Sequence, residues 1–191
     1  MKIKKILYTL VAVLSPLVLL AATVQAQGAQ LFLSTDQSQV EVESQLAVTV
    51  NVNTTQNTLG TDVVVKYDPN SLELVSVTPG DLYQDFSDTN NILELAKSEG
   101  KVTLSGVADL NTGTVANGVF ATLNFVPLTE TTTQIEILYD ETDSTLSGII
   151  PFEGNEVNIL TEAPQPLEIE VVSNNFFNRM WIFIKEIFAK N

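Results

Sequence analysis

The residues of this chain that could do chemistry are almost all carboxylates, because it has 23 aspartates and glutamates but no histidine and no cysteine. The lack of cysteine excludes disulfides, thiol catalysis and thiolate metal sites. The lack of histidine removes the commonest general base and transition-metal ligand. Paired carboxylates could serve a glycosidase, but so many acids make any one pair uninformative. We therefore expect no catalytic residues, no cofactor and no enzyme activity.

One short acidic run, Asp140-Glu141-Thr142-Asp143, contains oxygen ligands that calcium prefers. It lacks the ligand spacing and the glycine of an EF-hand loop. The run therefore predicts a solvated acidic loop, and we expect no metal site.

The charge of the chain limits its partners, because nine lysines and arginines against 23 aspartates and glutamates give a net charge of −14 at pH 7. Between residues 27 and 163 the only cations are Lys66, Lys97 and Lys101. A surface this negative repels phosphate backbones, so nucleic acid is excluded as a partner.

The first 26 residues have the three parts of a secretory signal peptide. Lys2, Lys4 and Lys5 form a positive start, an apolar run follows, and Val24-Gln25-Ala26 offers small residues for cleavage. An uncleaved membrane anchor is the alternative, since the apolar run approaches the length of a membrane span. Either interpretation predicts export, to the medium or to the cell surface.

The central part of the chain has the periodicity of short half-buried strands. The clearest runs from Leu46 to Asn53, a polar loop is expected over Thr54–Thr58, and Thr61–Tyr67 is the next strand. Ile92–Ala96 is predicted as a further strand, and Val119, Ala121, Leu123 and Phe125 as alternating core positions. About nine such strands, with no helical interruption, indicate an all-β antiparallel sandwich over residues 28–162.

Two motifs carry a family resemblance. Tyr67-Asp68-Pro69-Asn70 is followed by Leu72-Glu73 and Val77-Thr78-Pro79-Gly80-Asp81, and Asn117-Gly118-Val119-Phe120-Ala121-Thr122-Leu123-Asn124-Phe125 lies downstream. Together they resemble the cohesin domain of cellulosome scaffoldins. The resemblance covers residues 28–162 and implies a nine-stranded jelly-roll β-sandwich, which is related to cellulose-binding modules.

The resemblance also implies a function, because one face of the cohesin sandwich binds the dockerin modules of polysaccharide-degrading assemblies. The family places a hydrogen-bonding acid five positions before the motif tyrosine, which here is Asp62. Val64 and Lys66 share its side of the strand. A second family contact region corresponds to Ala108 and Asp109. These five residues are the predicted partner-binding set.

Two other functions remain open. A carbohydrate-binding module would need exposed aromatics to stack on sugar rings, for which Tyr83, Phe86, Phe120, Tyr139 and Phe152 are the candidates. Phe120 stands out, because it points opposite to Val119 and Ala121. A cell-surface adhesin that holds other proteins is the third hypothesis.

The carboxyl end differs in character from the sandwich. Closely spaced prolines predict a linker over residues 163–174, in which Leu167–Val172 could form one more strand. Residues 175–191 predict a basic amphipathic helix that could lie on a membrane surface or pack on protein. Its apolar, membrane-contact side is Phe176, Phe177, Met180, Trp181, Phe183, Ile184, Ile187 and Phe188.

Overall fold

A computed structural model describes residues 28–87, 93, 96–154, 158–160 and 162–173 of the chain. This part is dominated by ten strands, so the all-β prediction is confirmed. The strands are β1 Gln30–Ser34, β2 Gln39–Glu41, β3 Leu46–Lys66, β4 Leu72–Pro79, β5 Asp85–Phe86, β6 Lys101–Val107, β7 Thr114–Pro127, β8 Thr131–Ile137, β9 Gly148–Pro151 and β10 Leu167–Val172.

The strands form two layers that share β3. Residues 46–53 of β3 lie between β1 and β7, and β4 pairs with the far side of β7; these strands are the first layer. Residues 60–66 of β3 pair with β6 on one side and with β9 and β8 on the other. With β5, β10 and β2 they form the second layer. Apolar side chains between the layers form one core.

The polar segment Thr54–Thr58 is part of β3, so the prediction of a loop there was wrong. The threonine hydroxyls explain how a polar segment can cross between layers. Thr54 Oγ1 accepts a hydrogen bond from Ala116 N at 2.9 Å, and Thr58 Oγ1 donates to Thr114 O at 3.1 Å. These bonds satisfy backbone groups where the register of β3 against β7 shifts.

A β-bulge in β7 reverses the expected directions of two side chains. Val50 pairs with Ala121 while Asn51 pairs with Val119, so Phe120 is the extra residue. Phe120 is 1% exposed and Val119 is 42% exposed. The prediction of Val119 as a core residue was therefore wrong, and so was the outward direction of Phe120. Ala121, Leu123 and Phe125 are fully buried as expected.

A short helix replaces the strand that was predicted over Ile92–Ala96. Leu93 and residues 96–99 are helical. Leucine, alanine and lysine favour helix, and Gly100 ends it with a φ of 62°, which glycine adopts readily. The hydroxyl of Tyr67 donates to Ala96 O at 2.9 Å, which fixes this helix to the sandwich.

The motif turn after β3 has the chemistry that the sequence predicts. Asp68 Oδ1 accepts from Asn70 N at 3.0 Å, and Ser71 Oγ donates to Asp68 Oδ2 at 2.6 Å. In β4 a register shift between Leu74 and Ser76 leaves Val75 as an extra residue, which explains the slip in its apolar pattern.

Residues 167–172, for which strand and linker were both open, form β10 between β8 and β2. The predicted signal peptide and the eight membrane-contact residues of the predicted tail helix lie outside the described residues. Within the described ranges no helix is long and apolar enough to cross a bilayer.

Candidate functional site

The outer face of the second layer carries the predicted partner-binding strand, and its side chains lie in rows across β6, β3 and β9 or β8. Residues directly opposite one another in neighbouring strands point to the same side of a sheet. The ladders therefore define each row by its central β3 residue, which is Gly60, Asp62, Val64 or Lys66. Adjacent rows are separated by about 7 Å, which is two residues along a strand.

The first row is apolar. Gly60 pairs with Val107 of β6 and with Ile150 of β9, and both of these side chains are 40% exposed. A β-carbon built on Gly60 would lie 2.8 Å from the backbone oxygen of Gly106, so residue 60 cannot carry a side chain unless the backbone shifts. The side chains of Val107 and Ile150 therefore lie on either side of a gap above Gly60, which has no side chain.

The second row contains the predicted acid. Asp62 pairs with Ser105 of β6 and Gly148 of β9, and both neighbours are small. Asp62 is half-buried and makes no hydrogen bond or ion pair with the described residues. Its carboxylate therefore has no partner among these residues, and the role of Asp62 in binding stays a prediction.

Val64, in the third row, is not available as a contact residue, which corrects the sequence prediction. It lies on the same side of β3 as Asp62 but is only 1% exposed. Residues 138–147, which join β8 to β9, bond to both of its backbone groups: Leu138 N donates to Val64 O, and Val64 N donates to Ser147 Oγ, each at 2.8 Å. The alternation in β3 predicted the direction of the side chain but could not predict its burial.

The fourth row is charged. Lys66 pairs with Lys101 of β6 and with Glu136 of β8. Its Nζ lies 3.0 Å from Glu136 Oε1, and the Lys66 side chain is 60% exposed. An exposed ion pair of this kind contributes about 0–1 kcal/mol, so Lys66 can exchange Glu136 for a partner group at little cost.

The two residues of the second predicted contact region differ in burial. Ala108 is 4% exposed, and its N–H donates to Leu59 O at 2.8 Å, so Ala108 belongs to the core rather than to the surface. Asp109 is exposed at the start of the loop that leads to β7, where its Oδ1 accepts from Asn111 N at 2.7 Å. Of the five predicted contact residues, Asp62, Lys66 and Asp109 are therefore accessible.

Val107 and Ile150 are exposed on this face but were not among the five predicted contact residues. The sequence contained a signal for Val107, because it alternates with the core residues Val102 and Leu104 and so should face outward. The direction of Ile150 depends on the pairing of β9 with β3, which no local pattern reveals.

The acidic loop between β8 and β9 bonds to its own threonines. Thr142 Oγ1 donates to Asp140 Oδ1 at 2.6 Å, and Thr145 Oγ1 donates to Asp143 Oδ1 at 2.6 Å. These bonds lower the pKa of both carboxyls below the ordinary value of 3.8. Among the described residues no group of three or more acids is arranged to hold a metal ion.

The five candidate aromatics do not form an exposed row. Tyr83 and Phe120 are buried and meet edge to face, with ring centroids 5.7 Å apart. Phe86 packs against Phe120 at 5.2 Å and is half-buried, as are Tyr139 and Phe152. Sugar stacking on these residues, as the carbohydrate-binding hypothesis requires, is therefore not supported.

Solved cohesin structures share this fold. The seventh ScaB type I cohesin from Pseudobacteroides cellulosolvens is 18% identical, covers 77% of this chain and 94% of its own, and has a TM-score of 0.59. A type II cohesin domain from the cellulosome of Acetivibrio cellulolyticus is 17% identical, with 74% and 95% covered and a TM-score of 0.59. The type I cohesin–dockerin complex Coh-OlpA-Doc918 from Clostridium thermocellum is 13% identical, with 76% of this chain and 99% of that chain covered and a TM-score of 0.57.

No curated protein matches the sequence of this chain. The family model of the cohesin domain, in contrast, matches residues 31–171, which is most of the chain and includes both motifs of the sequence analysis. Sequence motifs, sandwich topology and family match agree, and the chain belongs to the cohesin domain family.

Proposed function

We propose that this protein is a non-catalytic docking module that binds a dockerin-bearing protein through the outer face of its second layer. The observation that carries the proposal is the pair Val107 and Ile150, exposed on either side of Gly60, with the carboxylate of Asp62, which no described residue pairs, in the next row. Exposed apolar side chains beside an unpaired hydrogen-bonding group are typical of a protein interface.

The charges around this face indicate the chemistry of the partner. Asp85 pairs with Val107 at the edge of the sheet, and Asp109 follows β6. With Asp62 they give the apolar row an acidic surround. A partner that fits this surface presents an apolar residue to the gap over Gly60 and basic or amide donors to the carboxylates.

The similar solved structures support a dockerin as that partner, because they include cohesins in complex with dockerins. An adhesin that uses the same face for another class of protein is the competing function.

Isothermal titration calorimetry with a panel of dockerin domains tests the proposal. At least one dockerin should bind, and Asp62→Lys should weaken that binding at least tenfold, because it replaces an acceptor with a like charge for a basic partner. Glu73→Lys makes the same charge change on exposed β4 of the first layer and should leave the affinity unchanged. Equal affinities of the two variants would remove Asp62 from the interface.

We also propose export and attachment to a membrane surface, from the sequence of the two ends. The amphipathic pattern of residues 175–191, with its cations opposite large apolar residues, suits the interface of an anionic bilayer. Flotation with vesicles that contain anionic lipid, with and without these residues, tests the tail. Equal flotation of the two forms would favour packing on protein instead.

A further inference from the structure

We propose that the outer face of the first layer, away from the docking face, holds a binding groove for a neutral polysaccharide. A depression of about 410 Å³ lies there, between the loop that follows β1 and the exposed sides of β3 and β7. It is lined by Ser34, Thr35, Asp36, Gln37, Gln45, Ala47, Thr49 and Asn124, so seven of its eight side chains are polar.

The polar groups of this groove are largely unused by the protein. In the part of the chain that the structure describes, the side chains of Asp36, Gln37, Gln45 and Thr49 make no hydrogen bond. Asn124 donates from Nδ2 to Ser76 Oγ at 2.9 Å, and no described residue donates to its Oδ1. Amides, a hydroxyl and a carboxylate that converge on one depression offer both donors and acceptors, which is what sugar hydroxyls require.

The wall of the groove is fixed before any ligand binds. Thr35 Oγ1 donates to Ala47 O at 2.8 Å and accepts from Gln37 N at 3.2 Å, which ties the loop after β1 to β3. Ser34, which lines the groove, is held as well, because Asn51 Nδ2 donates to Ser34 Oγ at 2.9 Å. A preorganised groove loses less entropy when a ligand binds than a mobile loop would.

An aromatic residue extends the groove along β1. Phe32 is 43% exposed and lies on the same side of β1 as Ser34, about 7 Å away along the strand. It lines a second depression of about 230 Å³, together with Gln30 and the segment from Glu162 to Gln165. The two depressions thus follow one another along β1, which suits an extended chain with an apolar ring face against Phe32 better than a compact ligand.

Charge decides which class of polysaccharide fits. Neither depression is lined by a lysine or arginine, whereas Asp36 lines the first and Glu162 the second. The whole chain carries a net charge of −14, so an acidic polysaccharide would be repelled. The charge therefore argues against an acidic chain of sugars, and the unused amides and hydroxyl suit the hydroxyl groups of a neutral one.

Affinity electrophoresis of the full chain in gels that contain soluble polysaccharide tests the proposal. Xyloglucan, mixed-linkage β-glucan and galactomannan are the neutral probes, and polygalacturonate is the acidic one. At least one neutral probe should retard the protein, and polygalacturonate should not. Absence of retardation by all three neutral probes, or retardation by polygalacturonate alone, would overturn the proposal.

Variants locate the binding. Gln37→Ala with Gln45→Ala removes two exposed side chains that make no hydrogen bond with the described residues, so the fold should be kept. The apparent affinity should fall about tenfold. Phe32→Ala should weaken binding independently. Gln134→Ala, exposed on β8 of the second layer, is the matched control and should have no effect. Retardation that survives both groove variants would place the sugar elsewhere and refute this site.

The two proposals can fail separately. Asp62→Lys changes only the docking face, so it should leave the retardation of the protein intact while it weakens dockerin binding. If instead a dockerin competes with the polysaccharide for the protein, the groove proposal is wrong and both ligands use the docking face.

Discussion

The ring of Phe120 lies against the α-carbon of Gly106, in the space that a β-carbon would need. A β-carbon built on Gly106 would lie 2.7 Å from Phe120 Cε2 and 2.7 Å from Tyr83 Cδ2. Gly106 is thus a core position of β6, although its neighbours Ser105 and Val107 lie on the outer face of the second layer. The contact joins the two layers, because Phe120 belongs to β7 and Gly106 to β6.

Gly106→Ala should destabilise the protein by about 1–3 kcal/mol, since overpacking forces rings and backbone apart. The measurement is the free energy of unfolding from urea denaturation. Ser105→Ala is the control, because it is the next residue of β6 and its side-chain hydroxyl makes no bond with the described residues. It should change stability by less than about 0.5 kcal/mol. Equal effects would mean that Phe120 and Tyr83 do not pack tightly on Gly106.

The bulge at Phe120 shows where sequence prediction stopped. Strict alternation from Phe125 back through Leu123 and Ala121 assigns Val119 to the core, and the prediction holds only as far as Ala121. The extra residue is a property of the pairing between β7 and β3. Alternation within one strand carries no information about a register shift against another strand.

The outer face of the second layer, which we propose as the docking face, was predicted in part for the same reason. The direction of Asp62, Val64 and Lys66 follows from alternation in β3 and was correct. Whether each side chain is accessible depends on the surrounding fold, in which Val64 is bonded to Ser147, more than 70 positions away, and is 1% exposed. Burial that depends on distant residues cannot be predicted from local patterns, whereas the two motifs were sufficient to predict the family and the sandwich fold.

Ser147→Ala should cost about 1–3 kcal/mol of stability, because it leaves the buried N–H of Val64 without an acceptor. Ser147 is itself 1% exposed, so water cannot replace the lost oxygen without local opening. Urea denaturation measures the loss, and Ser38→Ala, on an exposed residue before β2, is the control with no expected change. A neutral Ser147→Ala variant would show that residues 138–147 do not hold Val64.

Asp68 predicts a pH dependence of stability. The hydroxyl of Ser71 and the N–H of Asn70 lower the pKa of the Asp68 carboxyl below its ordinary value of 3.8. A carboxyl with a lowered folded-state pKa contributes stability that is fully present above 3.8 and is lost as the pH falls through the lower folded-state pKa.

The native protein should therefore be more stable than Asp68→Asn at neutral pH, by about 0.5 kcal/mol, since solvent screens an exposed carboxylate. The difference should disappear well below pH 3.8, where Asp68 is protonated and resembles the asparagine. Thermal unfolding of both proteins across this range measures it. Because hydrogen bonds rather than a charged partner cause the shift, 0.5 M salt should change the difference little; a strong salt dependence would contradict that cause.

Val107 and Ile150 provide the sharpest test of the docking face, because they are exposed, apolar and separated only by Gly60. Val107→Asp and Ile150→Asp should each reduce dockerin affinity at least tenfold, since an apolar partner residue would then meet an additional carboxylate. Val75→Asp is the matched control: Val75 is 42% exposed, against 40% for the other two, but lies in the bulge of β4 in the first layer. Calorimetric affinities decide the matter, with melting temperatures to verify folding. Loss of binding in the Val75 variant, or full binding in both of the others, would move the interface away from β3, β6 and β9.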